Sequence, residues 1–393
     1  MIQSSFPFKT KAYGHICHIV NNIGPRPAGS DAEKDTLDYI DHKMGEWGFY
    51  TERSPFNYAP IPSVFYPYII AGIYLAIVGW MITQYPWSTI ILPAVFFILP
   101  AYSRLVIHHR AKTVPSTNLF GYLPKTQISS SVPTLILSAH IDTARASAFR
   151  NTTLLRLRYQ TNFIVQRIAI LLSILSILQI IGIHSPNWIL LFSGIISSLA
   201  GIWLSFSQLW DQVSCNMQYS PGANDNASGV AILLSLAEYI SLCGVFNNLK
   251  IGFLFTGAEE TGLHGSDAFA TSLKDASHNL YVLTLDMVGA GNDLYFIRGD
   301  GTLFPLKTDP ELNNKLKSAN QSIKGLWYTL RSGDFASFLR HGIAASALQS
   351  GGSIKAEVSY HTIYDTLDVI ELQALDNTAK TVLTLIESLE KKS

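Results

Sequence analysis

Charge is what this sequence lacks first. Only 14 % of its 393 residues are Asp, Glu, Lys or Arg, against 48 % hydrophobic, where a typical soluble domain carries about 25 % charged residues. The 28 basic and 28 acidic residues cancel, which removes the electrostatic case for a nucleic-acid partner. Cysteine is equally scarce. Cys17, Cys215 and Cys243 are scattered, with no CxxC or Cys/His spacing, so neither a disulfide framework nor a thiolate metal site is indicated. The expectation is three buried or half-buried free thiols, which fit a cytoplasmic face. The opening "MIQSSFPFKTKAYGHICHIV" lacks an apolar core of signal-peptide length and reads as the start of the folded domain.

The missing charge is concentrated in two places. From Ser54 to Ser103, and again from Ile168 to Trp210, there is no Asp, Glu, Lys or Arg. Each block is about twice the roughly 20 apolar residues of one membrane span. The first divides at "TQYPWS" and the second at "HSPN", which gives two helical hairpins. Trp80, Trp87, Trp188, Trp203 and Trp210 stand near segment ends, where an interfacial belt places them. Pro93 and Pro100 make the second span the weakest. Arg104, Arg110, Lys112, Arg145, Arg150, Arg156, Arg158 and Arg167 flank the far ends of the blocks, while the tips carry no Lys or Arg. The positive-inside rule then puts those ends, and the polar domain with the N-terminus, in the cytoplasm. The same basic run suits anionic lipid head groups.

Once both blocks are excised, short apolar runs remain: "TLILSAH", "LKIGFLFTG", "LYVLTLDMVG" and "GIAASAL". They alternate with amphipathic stretches such as "SGVAILLSLAEYISLC" and "TLDVIELQALDNTAKTVLTLIESLEKK". That alternation predicts an α/β domain, a mostly parallel mixed sheet flanked by helices on both faces. The expected division is residues 1–60 as the first part of the domain, 61–103 and 168–210 as transmembrane hairpins, and 104–167 and 211–393 as its remainder. Ser30, with Glu33 three residues on, predicts a helix start with a reciprocal capping box.

In such sheets ligands gather at the carboxyl ends of the strands. "TLILSAHIDT" ends on His140, with Asp142 two residues later on the same face. A carboxylate so placed can fix the tautomer of a metal-bound imidazole. "SPGANDNASGVA" delivers Asp225 just before a helix, "LFTGAEETGLHGS" supplies Glu259 and Glu260, "LTLDMVG" supplies Asp286, and "SYHTIYDT" supplies Tyr360 and His361. Two histidines and several carboxylates without a thiolate suit zinc first, then cobalt or manganese. The adjacent glutamates raise each other's pKa unless a cation is close.

These fragments, in this order and preceded by "NNIGPRPAGSDAEK", resemble the co-catalytic zinc peptidases of metallopeptidase family 28, which include the bacterial leucyl aminopeptidases and aminopeptidase Y. The resemblance covers the chain outside the two apolar blocks. It implies two Zn2+ ions, with His140 and Asp286 on one, Glu260 and His361 on the other, and Asp225 bridging both. It further implies Asp142 as the partner of His140, Glu259 as the general base, Tyr360 as the oxyanion donor, and a cis peptide after Asp225. One glutamate then binds metal while its neighbour moves the proton. Asp334 and Phe335 stand where the family has an acidic residue followed by histidine ahead of the substrate pocket; Phe335 is a departure that bears on substrate preference, and Asp334 also reads as a helix cap. His108 and His109 read as solvated and His264 as structural. The implied activity is a membrane-bound aminopeptidase acting on short peptides. A carboxypeptidase or dipeptidase of the same fold, a glutaminyl cyclase, and a non-catalytic membrane receptor or scaffold are the alternatives. The last two lose ligands that this chain keeps.

Overall fold

A computed structural model of the chain describes residues 6–59, 65–82, 85–92, 113–123, 132–147, 152–214, 218–243, 246–273, 279–301, 305–328 and 332–391. His108, His109, Cys215, the basic residues at 104, 110, 112 and 150, and most of the expected second span lie outside them. The chain divides into two compact units. One comprises Met1–Tyr58, Val114–Ala146 and Met217–Ser393; the other comprises Ala59–Thr113 and Ser147–Asn216. Residues 147–167, expected with the sheet domain, fall in the second unit, because helix Thr152–Ile180 runs unbroken through the basic segment into the apolar one.

The first unit is built on a mixed sheet. Its strands among the described residues are β1 (Tyr50–Tyr58), β2 (Val114–Tyr122), β3 (Thr134–His140), β4 (Lys250–Thr256), β5 (Leu280–Leu285), β6 (Asp293–Asp300), β7 (Leu306–Lys307), β8 (Lys324–Tyr328) and β9 (Ala344–Gly351). They lie in the order β1-β2-β4-β3-β5-β9-β6-β7, with β8 paired to β6. The central run β4-β3-β5-β9 is parallel throughout. These strands are the four apolar runs of the sequence, buried along almost their whole length, as strands covered on both faces must be.

The alternation of strand side chains divides the core in two. Leu135, Leu137, Phe253, Phe255, Leu283 and Leu285 face one way and pack with helices Phe8–His18, Asp31–Glu46, Ser228–Cys243 and Leu372–Glu390. Ile136, Leu254, Val282, Ala345 and Ala347 face the other way, toward helices His264–Ser272 and Phe335–Arg340. The expected capping box is half formed. Ser30 Oγ accepts from Glu33 N–H at 3.2 Å, but the Glu33 carboxylate accepts from Gly29 N–H rather than from Ser30. Other donors have claimed it.

The second unit contains helices Phe65–Met81, Thr152–Ile180 and Asn187–Ser214 and the short turn Pro86–Thr89. Small residues line the seam between the first and third of these. A side chain at Gly72 would collide with Ser205 and Gly201, and one at Gly194 with Gly79. Ser198 Oγ donates to Ala76 O at 2.8 Å and Ser205 Oγ to Ile69 O at 2.9 Å across the same seam. Close backbone approach with hydroxyl cross-links is how apolar helices associate when no hydrophobic force separates them from their surroundings. A helix of the first apolar block thus pairs with one from the second block.

Two described helices are long and apolar enough to cross a membrane, within Asn187–Ser207 and Ala223–Cys243. The latter is mostly buried in the first unit and is its core helix. Ile69–Met81 and Arg167–Ile180 are apolar but shorter. Among the expected spans that fall within the described residues, only the one beginning at Asn187 meets that length. Cys17 is half-buried, but Cys243 is exposed, contrary to expectation, because it ends its helix at the surface.

Candidate metal centre

Five parallel or loop-borne elements converge at the carboxyl ends of β3, β4 and β5. His140 is the last residue of β3, Asp286 follows β5 directly, and Glu259 and Glu260 follow β4 by three and four residues. His140 Nε2 lies 3.3 Å from Asp225 Oδ1 and 3.5 Å from Asp286 Oδ1. His361 Nε2 lies 3.1 Å from both Asp225 Oδ2 and Glu260 Oε2. Donor atoms of His140, Asp225 and Asp286 fall within 4.8 Å of one another, and so do those of Asp225, Glu260 and His361. A third such group joins His140, Glu259 and Glu260. Asp225 belongs to two sets, one carboxylate oxygen turned to each.

The electrostatics are those of crowded anions. Burial raises the pKa of Glu259 well above its ordinary value; His140 opposes this, while Glu260, Asp334 and Asp286 add to it. Burial likewise raises Glu260, with His361 opposing and Asp225 adding. For His140, burial works downward, but Glu259 and the neighbouring carboxylates of Asp142, Asp225 and Asp286 raise it well above 6.5. Asp225 moves the other way. Its burial is overcome by hydrogen bonds from His140 and His361, which hold it far below the ordinary carboxylate range. Glu260 Oε1 and Asp286 Oδ1 are buried without a hydrogen bond. Buried acceptors of that kind call for a cation or a proton. The donor set, two imidazoles and carboxylates with no sulfur, fits borderline-to-hard divalent ions.

Local backbone shapes reinforce the convergence. Ala258, Met287 and His361 adopt left-handed φ of 55°, 54° and 53°, a region in which non-glycine residues cluster at functional sites. The Asp225–Asn226 peptide is cis. Asn226 then reaches across, with Nδ2 donating to Leu285 O at 2.8 Å and Oδ1 accepting from Gly229 and Met287 N–H.

The remaining expected residues are placed as follows. Asp142 lies 3.7 Å from His140 Nδ1 through Oδ1, while its main-chain oxygen is nearer at 3.2 Å. Its carboxylate is mainly occupied by the N–H groups of Glu259 and Glu260, each at 3.0 Å. The Tyr360 ring stacks on His361 at 3.8 Å. Asp334 stands at the start of its helix without a side-chain capping bond. It accepts instead from Thr256 Oγ1 at the end of β4, and burial raises its pKa. Phe335 is buried with its ring against Tyr328. His264 stacks on Tyr58.

Sequence reasoning assigned no role to two residues behind the cluster. The buried Arg26 guanidinium donates to the carbonyls of Ile141, Gly24, Pro221 and Gly222 at 2.8–3.0 Å. It thereby binds the segment after His140 to the loop before Asp225. Asp365 accepts from the N–H groups of Asn224 and Asp225, each at 2.9 Å, and burial pushes its pKa up to about 7. Both lie inside quoted motifs, but their partners are main-chain groups that carry no sequence signature.

The fold is that of known exopeptidases and cyclases. The zinc aminopeptidase BSAP from Bacillus subtilis aligns with a TM-score of 0.59 at 16 % identity over 99 % of this chain and 97 % of its own. A glutaminyl cyclase from Porphyromonas gingivalis aligns with a TM-score of 0.56 at 13 % identity over 98 % and 99 %. In sequence, residues 208–386, somewhat under half of the chain, match the model of Peptidase family M28. Aminopeptidase YwaD of Bacillus subtilis is 28 % identical over 191 residues, 45 % of this chain and 40 % of the relative. Aminopeptidase Y of Saccharomyces cerevisiae is 30 % identical over 196 residues, 45 % and 36 % respectively. These alignments span about two fifths or less of the curated relatives' lengths.

Proposed function

We propose that the chain is a dinuclear zinc exopeptidase, an aminopeptidase that removes N-terminal residues from short peptides and is held in a membrane by its apolar helices. The observation that carries the reading is the pair of three-residue donor sets that share Asp225. His140, Asp286 and Asp225 would hold one ion; Glu260, His361 and Asp225 would hold the other. Ions so held supply Lewis acidity to a water molecule and to the scissile carbonyl.

The protein's own groups do the rest. Glu259 belongs to the cluster through His140 and Glu260, and its raised proton affinity suits a group that takes a proton from the attacking water and returns it to the leaving amine. Tyr360, stacked on His361, offers a phenolic hydrogen bond to the oxyanion as it forms. Asp142 holds the two glutamates by their main-chain N–H groups. Arg26 and Asp365 hold the loop that carries Asp225.

For the membrane, the support is apolar surface. Ile70, Ile73, Ile77, Leu191, Phe192, Leu199 and Ile202 of the second unit are each at least half exposed, as are Trp80, Trp87 and Trp188. Apolar patches of that extent mark a surface meant for something other than water. The basic flanks put the catalytic unit on the cytoplasmic side. A single cysteine placed near Asn187 in a cysteine-free background should label from outside intact cells, and one near Lys112 only after permeabilisation. The reverse pattern would overturn the orientation.

The activity is tested with the purified chain, its zinc content, and a panel of amino-acid amides and short peptides blocked at either end. Cleavage of peptides with a free N-terminus, abolished by blocking it, supports the aminopeptidase. Cleavage that needs a free C-terminus supports a carboxypeptidase instead. Glu259→Gln should cost about 100- to 10,000-fold in kcat while zinc content stays at about two per chain; wild-type rates in that variant would remove Glu259 from the base's role.

A further inference from the structure

Four successive main-chain N–H groups at the foot of the Glu259–Glu260 loop are each taken by a side chain from elsewhere. Gly257 N–H donates to Asn118 Oδ1 at 3.1 Å and Ala258 N–H to Glu33 Oε1 at 3.1 Å. Glu259 and Glu260 donate to the two Asp142 oxygens at 3.0 Å. A helix or strand would satisfy such groups with its own ladder. Here the loop takes its shape from outside itself.

Glu33 is the unexpected member. It sits on helix Asp31–Glu46, far along the chain from the loop, and is buried. Its donors are all neutral: Gly29 N–H at 2.8 Å, Ser116 Oγ at 3.0 and 3.1 Å to its two oxygens, and Ala258 N–H. A buried carboxylate held only by neutral donors costs stability, so stability alone does not explain its presence. Its target, Ala258, is the left-handed residue that turns the chain from β4 into the loop, a conformation that costs a non-glycine residue roughly 1–2 kcal/mol and so needs a tie. Gly257 leaves the path open, since a side chain there would collide with Ser116 Oγ and Glu33 Oε1.

We propose that Glu33 is a positioning residue for the metal centre. Its carboxylate, through Ala258 N–H, fixes the turn that delivers Glu259 to the reacting water and Glu260 to its ion. The role rests on the reading of those two glutamates given above. It differs from a helix-start role, because the link to Ala258 satisfies no group of helix Asp31–Glu46.

The test compares Glu33→Gln and Glu33→Ala with the wild-type full chain in detergent. A glutamine presents one acceptor and one donor, so it can keep either the Gly29 or the Ala258 bond but opposes the other. Chelator competition should show the weaker of two zinc-binding steps loosened about tenfold in Glu33→Gln and further in Glu33→Ala. With zinc saturating, kcat should fall about 10- to 100-fold while KM stays within about twofold. Unchanged zinc affinity and unchanged kcat per folded chain, with only a lower melting temperature, would overturn the proposal. Failure of both variants to fold would do the same, since Glu33 would then be serving the fold. The zinc titration stands apart from turnover, so a wild-type chain that binds two ions but cleaves nothing in the panel would sink the peptidase reading and leave this inference readable.

Discussion

Replacing Arg26 by methionine should be the most informative single test of how the centre is supported. The guanidinium is buried and donates to four main-chain carbonyls, those of Gly24, Ile141, Pro221 and Gly222. Hydrogen bonds from a charged group are worth about 1.5–3 kcal/mol each, so four would total roughly 6–12 kcal/mol if they were independent. They are not independent, and burial opposes them. It lowers the arginine's pKa to about 10 from 12.5, even though Asp365, Asp142 and Asp225 pull upward. That drop corresponds to about 3 kcal/mol against the charged form. Methionine fills much of the volume but leaves four carbonyls without donors, in a range where breaking one side of a buried charged set costs about 3–5 kcal/mol. We expect Arg26→Met to lose about 3–5 kcal/mol in urea unfolding at neutral pH with zinc present. Arg26→Lys should lose nearly as much, because an ammonium presents three donors from one point rather than a planar fork. Unfolding free energies within 1 kcal/mol of wild type would refute the account, and with it the claim that Arg26 joins the segment after His140 to the loop before Asp225.

Other outcomes follow from other parts of the molecule. Chelation should abolish hydrolysis, and zinc or cobalt should restore it; full activity in a preparation with no metal by elemental analysis would contradict the centre. His15 is buried against Tyr39, and burial, with Lys43, Lys11 and His18 adding, lowers its pKa to about 4. The folded chain therefore resists protonation that the unfolded chain accepts below 6.5. The stability linked to this group is complete above pH 6.5 and is lost as the pH falls toward 4, to a total of about 3 kcal/mol. His15→Asn should flatten that part of the stability-versus-pH curve, and an unchanged acid limb would show that other groups set it. In the second unit, Gly201→Leu would drive a side chain into Gly72 O and Ala76, and overpacking of this kind costs about 1–3 kcal/mol. The variant should lower the melting temperature in detergent, and a melt equal to wild type would mean that the small-residue seam does not hold these helices together.

Legibility in the sequence followed burial. The four parallel strands were readable because each is an unbroken apolar run, and their ends marked where His140, Glu259, Glu260 and Asp286 would stand. The outer strands were not. β1 alternates through Glu52, Arg53 and Asn57 with most positions exposed, and β2 carries Pro115 and Gly121, so neither period nor propensity singles them out. Composition marked both apolar blocks, yet it could not say that Phe65–Met81 pairs with Asn187–Ser214, because that depends on which glycines and serines meet. The supporting side chains were hidden for a similar reason. Arg26, Glu33, Asn118 and Asp365 act on main-chain N–H and C=O groups, and a peptide group looks the same in every sequence.

The strand order also governs how the domain can be made. β4 lies between β2 and β3, although the ribosome delivers it more than a hundred residues after β3, beyond the second apolar block. A nascent polypeptide that has emerged only as far as Ala146 can zip β1 to β2, but β3 then lacks both of its neighbours, β4 and β5. The waiting strand is apolar and unpaired on either edge, the kind of segment that aggregates or recruits chaperones during synthesis. Residues 250–256, the strand that closes the gap between β2 and β3, are therefore made only after the whole of the second apolar block.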